Sequence, residues 1–367
     1  MVNGDRIRQA REIRGFTQAE LSRKIGVTQG AIAQFEGNLA APAQENLDAI
    51  ALQTGFPIAF FKQRSSLDFP LGTLLFRART SVKSADKNLV RQYGRLAYES
   101  VEKMETLLKG VSLRLPKYSE NPVTAASLTR SSLGLSPNTP IEFLIDIIEK
   151  GGVLVLSVAK SIDKHDAFSL WTGKDLQRPV IVISAGGPTD RLRFSVAHEL
   201  GHLVMHQKID KAIDDVEREA NRFAGELLMP ETSMLEEIIP PVTLMSLQKL
   251  GGRWKVSVQA LIKRASDLGI ISTRQYKYLF QQLGARGLRT ESLVNIPLEK
   301  PRAVRQMAEM IYGDPIDTKR MASDLNLPPA MVDEMLEKYA EKHRRHYPAG
   351  ERKTIGIGKL VAFVKKK

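Results

Sequence analysis

The sequence predicts an α+β protein that is predominantly α: an all-α N-terminal domain, a small mixed domain in the middle, and a helical C-terminal region. Three observations carry this. Apolar residues recur at helical spacing through most of the chain. Short apolar runs without that spacing, "VLVLSV", "AFSLW" and "PVIVIS", fall between Val153 and Ser184 and read as strands. A chain of 367 residues exceeds one ordinary core, so two or three domains are expected.

Residues 1–66 read as short helices. "RIRQAREIRG" has Ile7, Ala10 and Ile13 at helical spacing, and Gly15 stops it. Thr17 caps "QAELSRKIG", with Glu20 completing a capping box, and Gly26 ends it. Thr28 opens "QGAIAQFEGN", and a further amphipathic run, "QENLDAIALQTG", ends at Gly55. Residues 67–119 read as a helical connector, long and charged in "SADKNLVRQYGRLAYESVEKMETLLKG". Residues 120–235 mix helices with the three strands, and 236–367 are almost wholly helical.

Composition excludes several classes. There is no cysteine, so disulfides, zinc fingers and thiol nucleophiles are out, and any metal must be held by His, Asp or Glu. No run of eighteen apolar residues occurs, so no membrane span or membrane partner is expected. The N-terminus carries charges where a signal peptide needs an apolar core, which points to the cytoplasm. The net charge of +13 favours a polyanionic partner. Its surplus lies in the connector and the C-terminal third, where solvated helix faces and added DNA-backbone contacts both remain open.

Thr17 to Phe35 fits a helix-turn-helix with its turn at Gly26-Val27. Ala19, Leu21, Ile25, Val27 and Ile32 face inward, which leaves Gln18, Thr28, Gln29 and Gln34 outside. Their amide and hydroxyl groups suit base edges, while arginines suit phosphates. "RIRQAREIRGFTQAELSRKIGVTQGAIAQFEGN" resembles the XRE (Cro/C1-type) DNA-binding family, although Ala33 stands where many relatives carry Ser. The resemblance implies double-stranded operator DNA as partner and a homodimer as the binding form. A second rhythm of this kind, "TKRMASDLNLPPAMVDEMLEKYA", is a weaker signal.

"FSVAHELGHLVMH" holds three of the six histidines. On a helix His198 and His202 lie one above the other and can present two imidazoles to one ion, while Glu199 is offset beside it as a proton acceptor. Ala197, Leu200, Leu203 and Val204 form the apolar stripe, and Gly201 permits a strand or substrate backbone to come close. "RLRFSVAHELGHLVMH", with "HDAFSLWTG" and "PVIVIS" before it and "EREANRFAGELLMP" after it, resembles the ImmA/IrrE family of zinc metallopeptidases. That resemblance implies a small zincin-like fold, zinc as cofactor, His198 and His202 as ligands and Glu199 as general base. It also implies a protein substrate such as a helix-turn-helix repressor. The "PVIVIS" strand would line the cleft and accept a peptide at its edge.

The family takes its third ligand, a glutamate, from the following helix, where Glu217 and Glu219 are available. Ala220, Phe223, Ala224, Leu227 and Leu228 define that helix's apolar face; Glu217 lies roughly 50° from its centre and Glu219 about twice as far. Glu217 is therefore the expected ligand, Asn221 one turn on is expected to hydrogen-bond a ligand from outside the centre, and Glu219 is expected to be a solvated charge. His206 is open between an outer-shell group, an oxyanion stabiliser and a helix-end cap; His165, Tyr276 and Tyr278 are weaker oxyanion candidates. The competing reading is a non-proteolytic transcription factor or antitoxin that uses the zincin fold as sensor or scaffold.

Overall fold

A computed structural model describes residues 1–65, 84–109, 112–116, 119–158, 167–173, 177–184, 188–207, 212–287, 293–341 and 364–365. His165, the start of the connector and most of the basic end "KLVAFVKKK" lie outside the described residues.

The N-terminal helices are α1 (Gly4–Ile13), α2 (Gln18–Ile25), α3 (Gln29–Glu36), α4 (Gln44–Thr54) and α5 (Ile58–Phe61). Local chemistry sets their ends. Thr17 and Glu20 form both halves of the capping box on α2, and Gly26 closes it at φ 74°. Thr28 caps α3 by accepting from the Ala31 N–H. Gly4 is required because a Cβ there would lie 2.0 Å from the Phe35 carbonyl oxygen, so α1 can cross α3 closely.

Helix α6 (Ser84–Glu105) follows, then strand β1 (Leu108–Lys109), α7 (Pro122–Ser132) and α8 (Leu144–Lys150). Strands β2 (Leu154–Val158), β3 (Ala167–Thr172) and β4 (Arg178–Ser184) come next, then α9 (Thr189–Met205) and α10 (Ile213–Leu228). The chain continues through α11 (Glu231–Glu237), α12 (Leu244–Trp254), α13 (Val258–Asp267) and α14 (Thr273–Ala285). It ends with α15 (Ala303–Tyr312), α16 (Thr318–Leu325), α17 (Pro329–Glu337) and β5 (Val364–Lys365), which pairs antiparallel with β1.

The sheet has the order β2-β4-β3, with β2 parallel and β3 antiparallel to β4. The expected peptide-accepting edge at Val180 to Ser184 is therefore corrected: β4 is the central strand and both its edges are paired. The edge strands are β2 and β3, and β3 is the one beside α9. Both faces of the sheet are covered, which is why its strands read as continuous apolar runs.

One face carries Leu154, Leu156, Val158, Leu170, Val180 and Val182 into a core shared with α1 to α6 and α15 to α17. The other carries Val155, Ile181 and Ile183 into a core with α7 to α14. The packing units thus differ from the segments expected at 67–119 and 236–367. Helix α6 does not stand off as a connector: Arg6 pairs with Glu99, and Arg95 with Asp5 at 2.8 Å, all against α1. The region after residue 236 divides, with α12 to α14 completing the second core around Trp254 and α15 to α17 joining the first.

Candidate metal centre and nucleic-acid interface

Helix α9 buries its Val196, Ala197, Leu200, Leu203 and Val204 stripe and turns His198, His202 and Glu199 toward β3 and α10. Three buried arginines fix its surroundings. Arg193 donates to the carbonyls of Ile141 and Lys255 and pairs with Glu299 at 3.1 Å. Arg130 donates to the Leu227 carbonyl at the end of α10, and Arg264 pairs with Glu226 on the same helix. On β3, the Trp171 indole N–H donates to the Leu203 carbonyl at 3.1 Å. Gly201 permits a close approach, but not of the strand or substrate backbone expected. A Cβ there would lie 2.8 Å from Cδ1 of Phe223, so the neighbour is α10.

At this crossing, His198, His202 and Glu217 place ligand atoms within 4.8 Å of one another. The two Nε2 atoms are 3.0 Å apart, and the Glu217 carboxylate oxygens stand 3.5 and 3.6 Å from them. Donors on a tetrahedral zinc, each about 2.0–2.1 Å from the ion, would stand roughly 3.3 Å apart, so this spacing fits one. The donor chemistry fits too. Two imidazole nitrogens and a carboxylate leave a fourth tetrahedral position open. The adjacent His198 and His202 hold the Glu217 carboxyl far below the usual carboxylate range, so it is an anion.

The outer nitrogens are also occupied. His198 Nδ1 faces Asn221 Oδ1 at 3.1 Å, and His202 Nδ1 faces His206 Nδ1 at 3.1 Å. His206 is the residue that ends α9, and its Nε2 lies 3.0 Å from Glu219 Oε2. Glu219 is therefore not the free solvated charge expected from helical phase. Glu199 is 9% exposed and receives a 2.7 Å hydrogen bond from the Ser169 hydroxyl.

Sequence reasoning misses Ser169. Its signal was the one hydroxyl in the strand "AFSLW", at a position whose partner, Ile181, faces α9. The weaker candidates lie elsewhere: Tyr276 packs on Phe280, and the exposed Tyr278 accepts from Gln282.

In the helix-turn-helix, Thr28, Gln29 and Gln34 are exposed, as are Arg8, Arg14, Arg23 and Lys24. Gln18 is corrected from fully outward to half-buried, because its amide donates to Glu36 Oε2 at 2.8 Å. Glu36 is itself clamped by Arg11, so one buried carboxylate joins α1, α2 and α3. The weaker helix-turn-helix rhythm does fold as α16 and α17. However, α17 exposes Asp333 and Glu337, the wrong charge for phosphate.

The comparisons agree with this division. The family described as "Helix-turn-helix" matches residues 7–61, and the "IrrE N-terminal-like domain" matches residues 148–266. Over 101 residues the chain is 28% identical to metallopeptidase ImmA of Bacillus subtilis (strain 168), covering 25% of this chain. It spans 59% of that relative's length. The solved structure of Bacillus thuringiensis PlcR with a peptide and DNA aligns over 91% of both chains. At 11% identity and a TM-score of 0.16, that alignment bears no weight. The chain therefore carries an XRE-type helix-turn-helix domain within residues 7–61 and a domain of the ImmA/IrrE metallopeptidase family within 148–266.

Proposed function

We propose that this protein is a DNA-binding transcriptional regulator whose second domain is a zinc-dependent endopeptidase acting on a repressor-like or antitoxin-like protein. The observation that carries the reading is the convergence of His198, His202 and Glu217 beside Glu199, in a chain that also exposes Gln29 and Gln34 on a helix-turn-helix. His198, His202 and Glu217 would hold the zinc. When bound, zinc supplies Lewis acidity toward the scissile carbonyl and the attacking water.

The chain's own residues do the rest. Glu199 takes a proton from the water as its oxygen bonds to the carbonyl carbon. It returns that proton to the departing nitrogen when the C–N bond breaks. The Ser169 hydroxyl fixes one Glu199 oxygen and leaves the other for this transfer. Among the described residues β3 pairs only with β4, so its outer edge can add an extended peptide by backbone hydrogen bonds. On DNA, Gln29 and Gln34 would read base edges while Arg8, Arg23 and Lys24 hold phosphates. Operator binding is as a homodimer, and the cytoplasm suits both activities.

The test is to incubate the zinc-loaded full chain with repressor-like products of neighbouring genes and map any cleavage. The Glu199→Gln variant serves as control. Cleavage by the wild type alone supports the proposal. No cleavage, with operator binding intact, supports the non-proteolytic reading.

A further inference from the structure

We infer that Glu219 is a positioning residue for the metal centre, acting through His206 on His202. The inference rests on the metal-centre reading above and deepens it.

Coordination chemistry fixes the direction of each hydrogen bond. A neutral imidazole that offers Nε2 to a metal keeps its hydrogen on Nδ1. His202 Nε2 is the atom facing His198 Nε2 and Glu217, so His202 Nδ1 is the donor. The atom it meets at 3.1 Å is His206 Nδ1, which must then accept. A neutral His206 that accepts at Nδ1 carries its hydrogen on Nε2. That atom lies 3.0 Å from Glu219 Oε2, which accepts in turn. Each link in the series has one donor and one acceptor, and it ends on a carboxylate. It lengthens by one ring the usual pairing of a ligating histidine with a carboxylate, which sets ring orientation and raises ligand basicity.

Burial makes the arrangement effective. The His202 and His206 side chains are 2% and 4% exposed, so water does not substitute readily for either partner. The geometry also uses both helices of the site. His206 closes α9 one turn beyond His202, and Glu219 stands two residues after Glu217 on α10. One short segment of α10 thus supplies a ligand to one side of the centre and a brace to the other. His198 has a shorter counterpart: its Nδ1 meets the neutral Asn221 directly.

The experiment is zinc binding by the full chain, measured by competition with a chromogenic chelator, together with melting of the metal-free proteins. His206→Ala and Glu219→Ala should each weaken zinc binding by about 10- to 100-fold. The metal-free melting temperature of Glu219→Ala should stay close to that of the wild type. The double variant should bind no more weakly than His206→Ala alone, the outcome expected when Glu219 acts through His206. Asp215→Ala, which breaks an exposed ion pair with Arg218 on the same helix, should leave binding unchanged. Glu219 is only partly covered, so its variant keeps the test available if His206→Ala does not fold. Wild-type affinity in Glu219→Ala would overturn the inference, as would losses that add in the double variant. Failure of the wild type itself to bind zinc would overturn the metal-centre reading, and this inference with it.

Discussion

Glu149 and Glu299 cap each other's helices. Glu149, near the end of α8, accepts from the backbone N–H groups of Arg302 and Ala303 where α15 begins, at 2.8 and 3.2 Å. Glu299, just before α15, accepts from the N–H groups of Leu144 and Asp146 at the start of α8, both at 3.0 Å. Arg193 on α9 pairs with Glu299, so this clasp joins the helix of the candidate metal centre to the C-terminal helices that share a core with the helix-turn-helix.

The clasp has a pH signature. Burial pushes the Glu149 carboxyl up to about 8, against an ordinary value of 4.5. The native state then holds a proton that the unfolded chain has released, so stability falls as pH rises between those two values. One full proton corresponds to about 1.4 kcal/mol per pH unit. Glu149→Gln keeps an acceptor for the two N–H groups and removes the titration. Urea melts at pH 5 and pH 8 should show the variant gaining on the wild type as pH rises. A constant difference between the two proteins would rule this out.

The proposed general base gives a separate test. Glu199→Gln should retain zinc and operator binding while losing cleavage by roughly 10²–10⁴-fold, the usual contribution of a positioned acid-base group. Ser169→Ala should lower the turnover rate by less and leave the Michaelis constant nearly unchanged, since the hydroxyl orients Glu199 without lying on the β3 backbone edge. A Glu199→Gln protein that cleaves at the wild-type rate would contradict the proposed proton transfer.

The histidine pair is legible in the sequence because spacing along one helix is a local property. Helical phase likewise places Glu217 on the side of α10 that faces α9. The same local logic fails for Glu219, because the partner that holds it, His206, comes from another helix. It fails again for the arginines. Nothing local in the sequence marks Arg6, Arg95, Arg130, Arg193 and Arg264 as interior residues, yet each is buried and bonded to a distant carboxylate or carbonyl. Four of the five are offset by carboxylates, and only Arg130, bonded to carbonyls, puts a positive charge of the +13 surplus into the framework. Strand order is equally nonlocal: "PVIVIS" announces a strand buried on both faces, but not that β3 would occupy the outer edge on one side of it.

On DNA, Gln29→Ala should cost about 1–3 kcal/mol on the specific operator and little on random sequence, as expected of a base-edge contact. Gln18→Ala should behave differently. Its amide is tied to Glu36, so the loss would include helix-turn-helix stability as well as any contact with DNA. Titrations at fixed salt on operator and random duplexes, with melting of each variant, separate the two. Equal loss by Gln29→Ala on both duplexes would remove it from base reading.

Gly201→Ala sets helix propensity against packing. Within a helix, alanine is favoured over glycine by about 1 kcal/mol, so propensity alone predicts a more stable protein. The new Cβ, however, would lie 2.8, 3.1 and 3.3 Å from Cδ1, Cγ and Cβ of Phe223, whose side chain is fully buried and whose Cβ is fixed to the α10 backbone. Overpacking of this kind costs about 1–3 kcal/mol, which outweighs the propensity gain. The relief available is a shift of α10 away from α9. That movement carries Glu217 away from His198 and His202, so zinc affinity should fall together with stability. Adding Phe223→Leu should recover part of the zinc affinity by making room for the methyl group, even though the double variant is less stable than wild type. If Gly201→Ala melts and binds zinc as the wild type does, the close approach at Gly201 does not fix the position of α10.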